Sequence, residues 1–439
     1  CSSDLKRVVA LLAIGVLFAA AAFAEGSQDS ASAQDDLVTS VSGTVEIEFW
    51  HAMSSRLGEA VDELTKQFNE GIGMEKGITV VSVFQGGYGD HKQKTTAAIK
   101  AGAAPVVAQA YPDWVAEYFQ ADVVVALDDY IYHPEVGITD FDDIFEAYRA
   151  ENSQYTTDGT FFSLPFNKST EVLYYNKTFF EDNGYTVPTT WAELESLSKK
   201  IFEKTGKPAF CFDSLSNYFI TMTRQYGGKY TDSQGGIYFN DSDAAAKGIE
   251  LYKRNFDAGY WRVAGEDRYL SGPFNNGDVF MFAGSTAGSA YVGSDLFEWD
   301  SVPLPQVAGG PKAVIQQGTN VFVMNQKKTP EEVYAGYVFI KFLASKEANL
   351  YWATNTGYLP IRQSVVDSSE YQAFLAAGTD STKESGPAQG GYYFYDPGFY
   401  TSDFTSYDVR VAVGTAVEEA LLNDVDPKKA VADAFAKFQ

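Results

Sequence analysis

Between residues 43 and 102 the chain twice follows the same order, an extended apolar stretch and then an amphipathic one. In "GTVEIEFWHAM" the apolar side chains Val45, Ile47 and Phe49 alternate with polar neighbours, the period of a strand. In the next segment Leu57, Val61, Leu64 and Phe68 recur at helical spacing. "GITVVSVFQGGY" and "HKQKTTAAIKAG" then repeat the strand and the helix. Parallel strands need a crossover, and a helix is the usual one, so this order predicts a largely parallel sheet covered by helices. Further on, "EVLYYNKTFF" reads as strand then turn. "TTWAELESLSKKIFEKTG" reads as a helix capped by Thr189 or Thr190, and "KTPEEVYAGYVFIKFLAS" as one opened by Pro330. "YDVRVAVGTAVEEALLN" begins a last helical region, and no repeat of fixed period is present. At 439 residues one core is not enough, and two lobes are expected.

The first residues read as an address. Lys6 and Arg7 precede an apolar run over residues 8–24 that ends Ala22-Phe23-Ala24, the pattern of a cleaved secretory signal peptide spanning residues 1–24. The polar, acidic residues 25–42 read as a disordered tether. Cleavage removes Cys1 and leaves Cys211 unpaired, so no disulfide framework is expected. A periplasmic or extracellular location follows.

The acidic balance, 58 Asp and Glu against 33 Lys and Arg, gives a net charge of −25 and argues against nucleic acid or an anionic membrane as partner. Tyrosine and phenylalanine number 28 and 32, an excess suited to lining a binding cleft. Metal-binding, nucleophile-elbow, phosphate-loop and dinucleotide motifs are missing, and the three histidines are far apart in sequence. No cofactor or metal is expected. The sequence points to binding rather than catalysis, with an exported hydrolase as the remote alternative.

"EIEFWHAMSSRLGEAVDELTKQFN", "PFNKSTEVLYYNKTFFEDNGYTVPTTWAEL", "FNNGDVFMFAGSTAG" and "NTGYLPIR" together resemble the extracellular solute-binding proteins of ATP-driven sugar importers. "FWH.M…LGE.VD", "PFN.ST" and "TGYLPI" are most similar to the glycerol-phosphate branch of that family. The resemblance runs from about Gly43 to the C-terminus. It implies an α/β, two-lobed periplasmic-binding-protein fold of type II, with discontinuous lobes joined by crossing hinge strands. The crossings are expected near Asn167, Gly318 and Gly357. That gives an N-terminal lobe of residues 43–167 and 319–356 and a C-terminal lobe of residues 168–318 and 357–439.

The resemblance also implies a monomer that hands a small phosphorylated polyol or sugar to membrane permease subunits. Glycerol 3-phosphate or a glycerophosphodiester such as glycerophosphocholine is the expected ligand, and a neutral oligosaccharide is the alternative. Carried over by motif, the ligand contacts are Tyr88, Ser169, Ser285 (with Thr286 and Ser289 in range), Gly318, Tyr358 and Arg410. The family's polyol-binding acid aligns with Pro112, and Asp113 stands one step later. In "CFDSLSNYF", Ser214 or Tyr218 is expected at the far end of the pocket. A planar guanidinium meeting two phosphate oxygens, with hydroxyls and a glycine amide around it, is a sound way to bind a phosphate ester.

Overall fold

The computed structural model describes residues 37–439 apart from Arg268 and Thr379. The signal peptide and most of the tether read from the sequence lie outside the described residues. Ten strands form one continuous system: β1 (Val45–His51), β2 (Ile78–Phe84), β3 (Val107–Ala110), β4 (Leu164–Asn176), β5 (Phe210–Phe212), β6 (Trp261–Arg262), β7 (Met281–Ser285), β8 (Trp299–Pro303), β9 (Val314–Val323) and β10 (Tyr393–Phe394). Their order is β2-β1-β3-β9-β4-β7-β5-β6, with β8 on β4 and β10 on β9.

The expected parallel sheet exists on each flank. β1 runs parallel to β2 and β3, and β5 runs parallel to β6 and β7. The middle differs, because β9 is antiparallel to both β3 and β4, and β4 is antiparallel to β7 and β8. β4 and β9 are the two long strands; they pair with each other, β9 also pairs with β3 on one flank, and β4 pairs with β7 on the other. They carry the chain between two cores. One core contains Trp114, Tyr118, Ala108 and Phe322; the other contains Trp191, Phe210, Tyr252, Trp261 and Val413. In β1, Ile47 and Phe49 are buried while Glu46 and Glu48 face solvent, as the alternation predicts.

Capping residues fix the helix starts. Thr190 and Glu193 form a reciprocal capping box before Trp191–Thr205, and Thr329 and Glu332 do so before Pro330–Leu343. Thr405 and Asp408 do the same for Ser406–Leu422. The turn expected after "EVLYYN" is a short helix, Lys177–Asn183, because the Asn176 side chain accepts from the Phe179 amide and caps it.

The strand pair β4–β9 is fastened at one point. Gly318 stands opposite Lys168 with φ +107°, a region open to glycine. A Cβ there would sit 1.9 Å from the Asn167 carbonyl oxygen. Beneath this point the fully buried Lys168 ammonium is ion-paired with Glu151, whose other oxygen accepts from the Gln316 amide at 3.1 Å.

After the helix Lys346–Asn355, where the sequence reading expects the third crossing, the chain packs first against β4 and the β1–β3 side. Leu359 bonds to the Lys168 carbonyl on β4. Arg362, assigned to the C-terminal lobe from sequence, is buried against Asp140, Asp143 and the Ala344 carbonyl, all on the β1–β3 side. Val365 and Tyr371 join Ala353 in one apolar cluster. Contacts to the β7–β5 side resume later, where Ser301 bonds Ser381 and Ser385 and Gln389 bonds Leu304. An arginine with two carboxylates in reach outweighs the local glycine–proline signal in deciding where this stretch packs.

Candidate ligand-binding site

A cavity of about 300 Å³ opens between the two flanks, lined by Tyr88, Lys92, Tyr111, Asp113, Trp114, Gly318, Asp396, Tyr407 and Arg410 among others. Several of the lining residues stand at helix starts, where unpaired backbone groups converge. Tyr88 opens the helix Tyr88–Ala101, and Asp113 lies in the first turn of Pro112–Gln120 behind the N-terminal proline. Arg410 is held one turn inside Ser406–Leu422 by the Thr405 cap.

Arg410 is the main cation of the cavity. One guanidinium nitrogen donates to Asp396 at 2.6 Å and another to the Asn217 side-chain oxygen at 2.6 Å. Asn217 in turn donates to the buried Glu171 at 2.6 Å. Burial pushes the Glu171 carboxyl up to about 8 and the Asp113 carboxyl up to about 6, although Arg410 and Lys92 pull the latter down. The Asp396 carboxyl is also raised by burial, against the pull of Arg410.

On the other wall, the Tyr88 and Tyr358 hydroxyls are 3.2 Å apart, and the Asn167 amide donates to Tyr88 at 3.3 Å. Asn167 is oriented by Gln109 and by Thr319. The Tyr358 ring stacks on Trp352 at 5.5 Å, and the Lys383 ammonium donates to its backbone carbonyl. Gly357 is required here for space, not for an unusual φ, since a Cβ would meet the Thr286 and Ala287 carbonyl oxygens at 2.7 Å. Tyr88, Tyr111 and Trp114 form an aromatic corner with ring centroids 5.0 to 6.4 Å apart.

Four of the residues expected from sequence, Tyr88, Asp113, Gly318 and Arg410, meet in this one cavity. Tyr358 joins it through the Tyr88 hydroxyl. Ser169 is buried on β4, opposite Gln317, one residue from the Gly318 contact. Ser285 ends β7 opposite Glu171, and its hydroxyl accepts from the Ala287 amide at 3.2 Å, capping the next turn. Tyr218 does not line the pocket. It is fully buried, and its hydroxyl donates to the Gly248 carbonyl at 2.8 Å. The reason is helical phase: Ser214 caps Leu215–Gln225, which turns Asn217 to the cavity and Tyr218 one step round into the core.

The sequence reading missed Tyr111, Asn217 and Asp396. Asp396 comes from a strap, residues 393–404, that crosses to the opposite flank. Gly398 accepts no side chain because a Cβ would sit 2.6 Å from the Pro112 carbonyl group, and its amide donates to Gln154 at 2.9 Å. Beside the strap, Lys92 pairs with Glu117 at 3.1 Å and lies 4.8 Å over the Tyr407 ring.

A cleft of this size between two α/β halves, built from hydroxyls, carboxyls, one arginine and stacked rings, belongs to a protein that holds a small polar solute. Residues 63–378 match the bacterial extracellular solute-binding proteins, and the chain belongs to that family. The sn-glycerol-3-phosphate-binding periplasmic protein UgpB of Salmonella typhimurium is 28% identical over 351 residues, 75% of this chain and 77% of that protein. Among solved structures, UgpB from Mycobacterium tuberculosis in complex with glycerophosphocholine superposes with a TM-score of 0.78 at 21% identity, covering 90% of this chain and 98% of that one. The cyclic alpha-maltosyl-1,6-maltose binding protein from Arthrobacter globiformis superposes with a TM-score of 0.75 at 21% identity, covering 90% and 98%. The fold is the two-lobed one of these proteins. The chain is the substrate-binding subunit of an ABC importer, which binds a small molecule for delivery to membrane permeases, and it is not an enzyme. Among the described residues no helix is long and apolar enough to cross a membrane.

Proposed function

We propose that this protein binds glycerol 3-phosphate or a glycerophosphodiester in the cleft and delivers it, from the periplasm or cell exterior and as a monomer, to its permease. The observation that carries the reading is Arg410, half-buried at the cavity wall with guanidinium N–H groups beyond those spent on Asp396 and Asn217. Around it, the Gly318 amide and the Tyr88 and Tyr358 hydroxyls supply single hydrogen bonds to phosphate oxygens, with Ser169 and Ser285 next to them on β4 and β7. Asp113 accepts from the glycerol hydroxyls. The flanks act as lobes that close by rotation about the β4–β9 crossing, and the residues 357–378 complete the hinge.

Calorimetric titration with glycerol 3-phosphate, glycerophosphocholine and maltose tests this. A phosphate ligand should bind, and Arg410→Ala should weaken it about a hundredfold, since the substitution leaves a desolvated anion without its charged partner. A second reading, a receptor for a neutral oligosaccharide, is favoured by the aromatic corner and by the carboxylates around Arg410. Heat from maltose alone, unchanged in Arg410→Ala, would select it.

A further inference from the structure

The charged groups lining the cavity are Lys92 and Arg410 against Asp113, Glu151 and Asp396. Lys168 cancels Glu151 from below, and Lys92 is engaged with Glu117 and the Tyr407 ring. What remains is one guanidinium between two carboxyls. Asp396 holds Arg410 through one oxygen, and its other oxygen has no hydrogen-bond partner, so its charge is shared with no other donor. Nor is Asp396 free to swing away: the strap that carries it is pinned by Gly398 against Pro112 and Gln154, and by β10 paired with β9. At the cavity wall Arg410 therefore offers hydrogen bonds with its charge held against Asp396, which also faces the partly buried Arg224 guanidinium.

A phosphomonoester takes a second negative charge as pH passes about 6, whereas a phosphodiester keeps one. Resting on the phosphate reading above, we propose that Asp396 makes this cleft select a singly charged phosphate over a doubly charged one, so that its ligands are phosphodiesters in preference to phosphomonoesters. The groups that face Asp396 are Arg410 on its own side and Arg224, whose guanidinium lies 4.3 Å over the Phe394 ring, with Asp113, Lys92 and Glu151 from the opposite side and Tyr230 from behind. Asp113, raised to about 6, titrates in the same interval as the ligand, so the ratio between two ligands is measured in Asp113→Asn as well.

The test is calorimetric titration of the wild-type protein with glycerol 3-phosphate and glycerophosphocholine from pH 5 to pH 8. The affinity ratio should move tenfold or more toward the diester as pH rises, both in the wild type and in Asp113→Asn, where the titration of Asp113 cannot contribute. In Asp396→Asn the ratio at pH 8 should shift at least tenfold toward the monoester, and its pH dependence should flatten. A ratio that is independent of pH in the wild type, or identical in Asp396→Asn, overturns the role of Asp396 and leaves the phosphate reading standing. If neither ligand binds the wild type at millimolar concentration, the phosphate reading falls and this inference with it. Should Asp396→Asn fail to fold, the ratio in Asp113→Asn decides, because Asp396 is there the remaining carboxyl against Arg410, and a ratio independent of pH in that variant overturns its role.

Discussion

Replacing Gly318 with alanine tests whether the β4–β9 crossing is a rigid frame. A Cβ at this position lies 1.9 Å from the Asn167 oxygen, 2.9 Å from the Asn167 carbonyl carbon and 3.0 Å from the Lys168 Cα. All three are backbone atoms, so no side chain can rotate out of the way, and the strands must part by about 1 Å. The φ of +107° adds conformational strain of about 1–3 kcal/mol for a residue with a side chain. Parting the strands at Lys168 and Asn167 gives up one or two backbone hydrogen bonds at roughly 1 kcal/mol each. Together Gly318→Ala should destabilise the protein by about 2–5 kcal/mol. Urea unfolding followed by tryptophan fluorescence measures it. Gly309→Ala is the control, since its φ of +75° is also positive but a Cβ there has nothing within 4 Å, and it should lose only about 1 kcal/mol. Equal losses from the two variants would refute the steric argument and with it the rigidity of the crossing.

The Lys168–Glu151 pair makes a similar prediction about charge. Lys168→Met should destabilise by about 3–5 kcal/mol because it strands a buried carboxylate, and Lys168→Met with Glu151→Gln should recover most of that loss in the same unfolding assay. Glu171 makes stability depend on pH. Its folded value of about 8 lies above the ordinary 4.5, so between these pH values the folded protein keeps a proton that the unfolded chain has lost, and stability falls as pH rises through that window. The fall attributable to this group is on the order of 4 kcal/mol by pH 8. Glu171→Gln should remove it, and melting temperatures at pH 5 and pH 8 that drop as steeply as in the wild type would count against the assignment.

Local signals were readable where neighbours in sequence are neighbours in space. The alternation of Ile47 and Phe49 and the capping threonines at Thr190 and Thr329 need only a few residues to express themselves. The family resemblance supplied what spacing does not, namely that Tyr88, Asp113, Gly318 and Arg410 come together from segments far apart in the chain. What stayed hidden depends on distant partners. Asn217 meets Arg410 across 193 positions, and Arg362 meets Asp140 across 222. Asp396 sits in a strap without periodicity, so nothing in "YDPGF" singles it out. Tyr218 shows a finer limit: the segment was right, but the choice between Asn217 and Tyr218 rests on the helix phase set by Ser214.

The phenol pair has a consequence for the conditions in which the protein works. Burial raises the Tyr88, Tyr111 and Tyr358 hydroxyls above their ordinary value near 10, and the contact with Tyr358 raises Tyr88 further. They keep their protons, and the ability to donate, to a higher pH than an exposed tyrosine does. The phenols of this wall therefore keep the same hydrogen-bonding face from acid to mildly alkaline pH. Any pH sensitivity of binding has to originate among the carboxyls, Asp113 beside the phenols and Asp396 across the cleft.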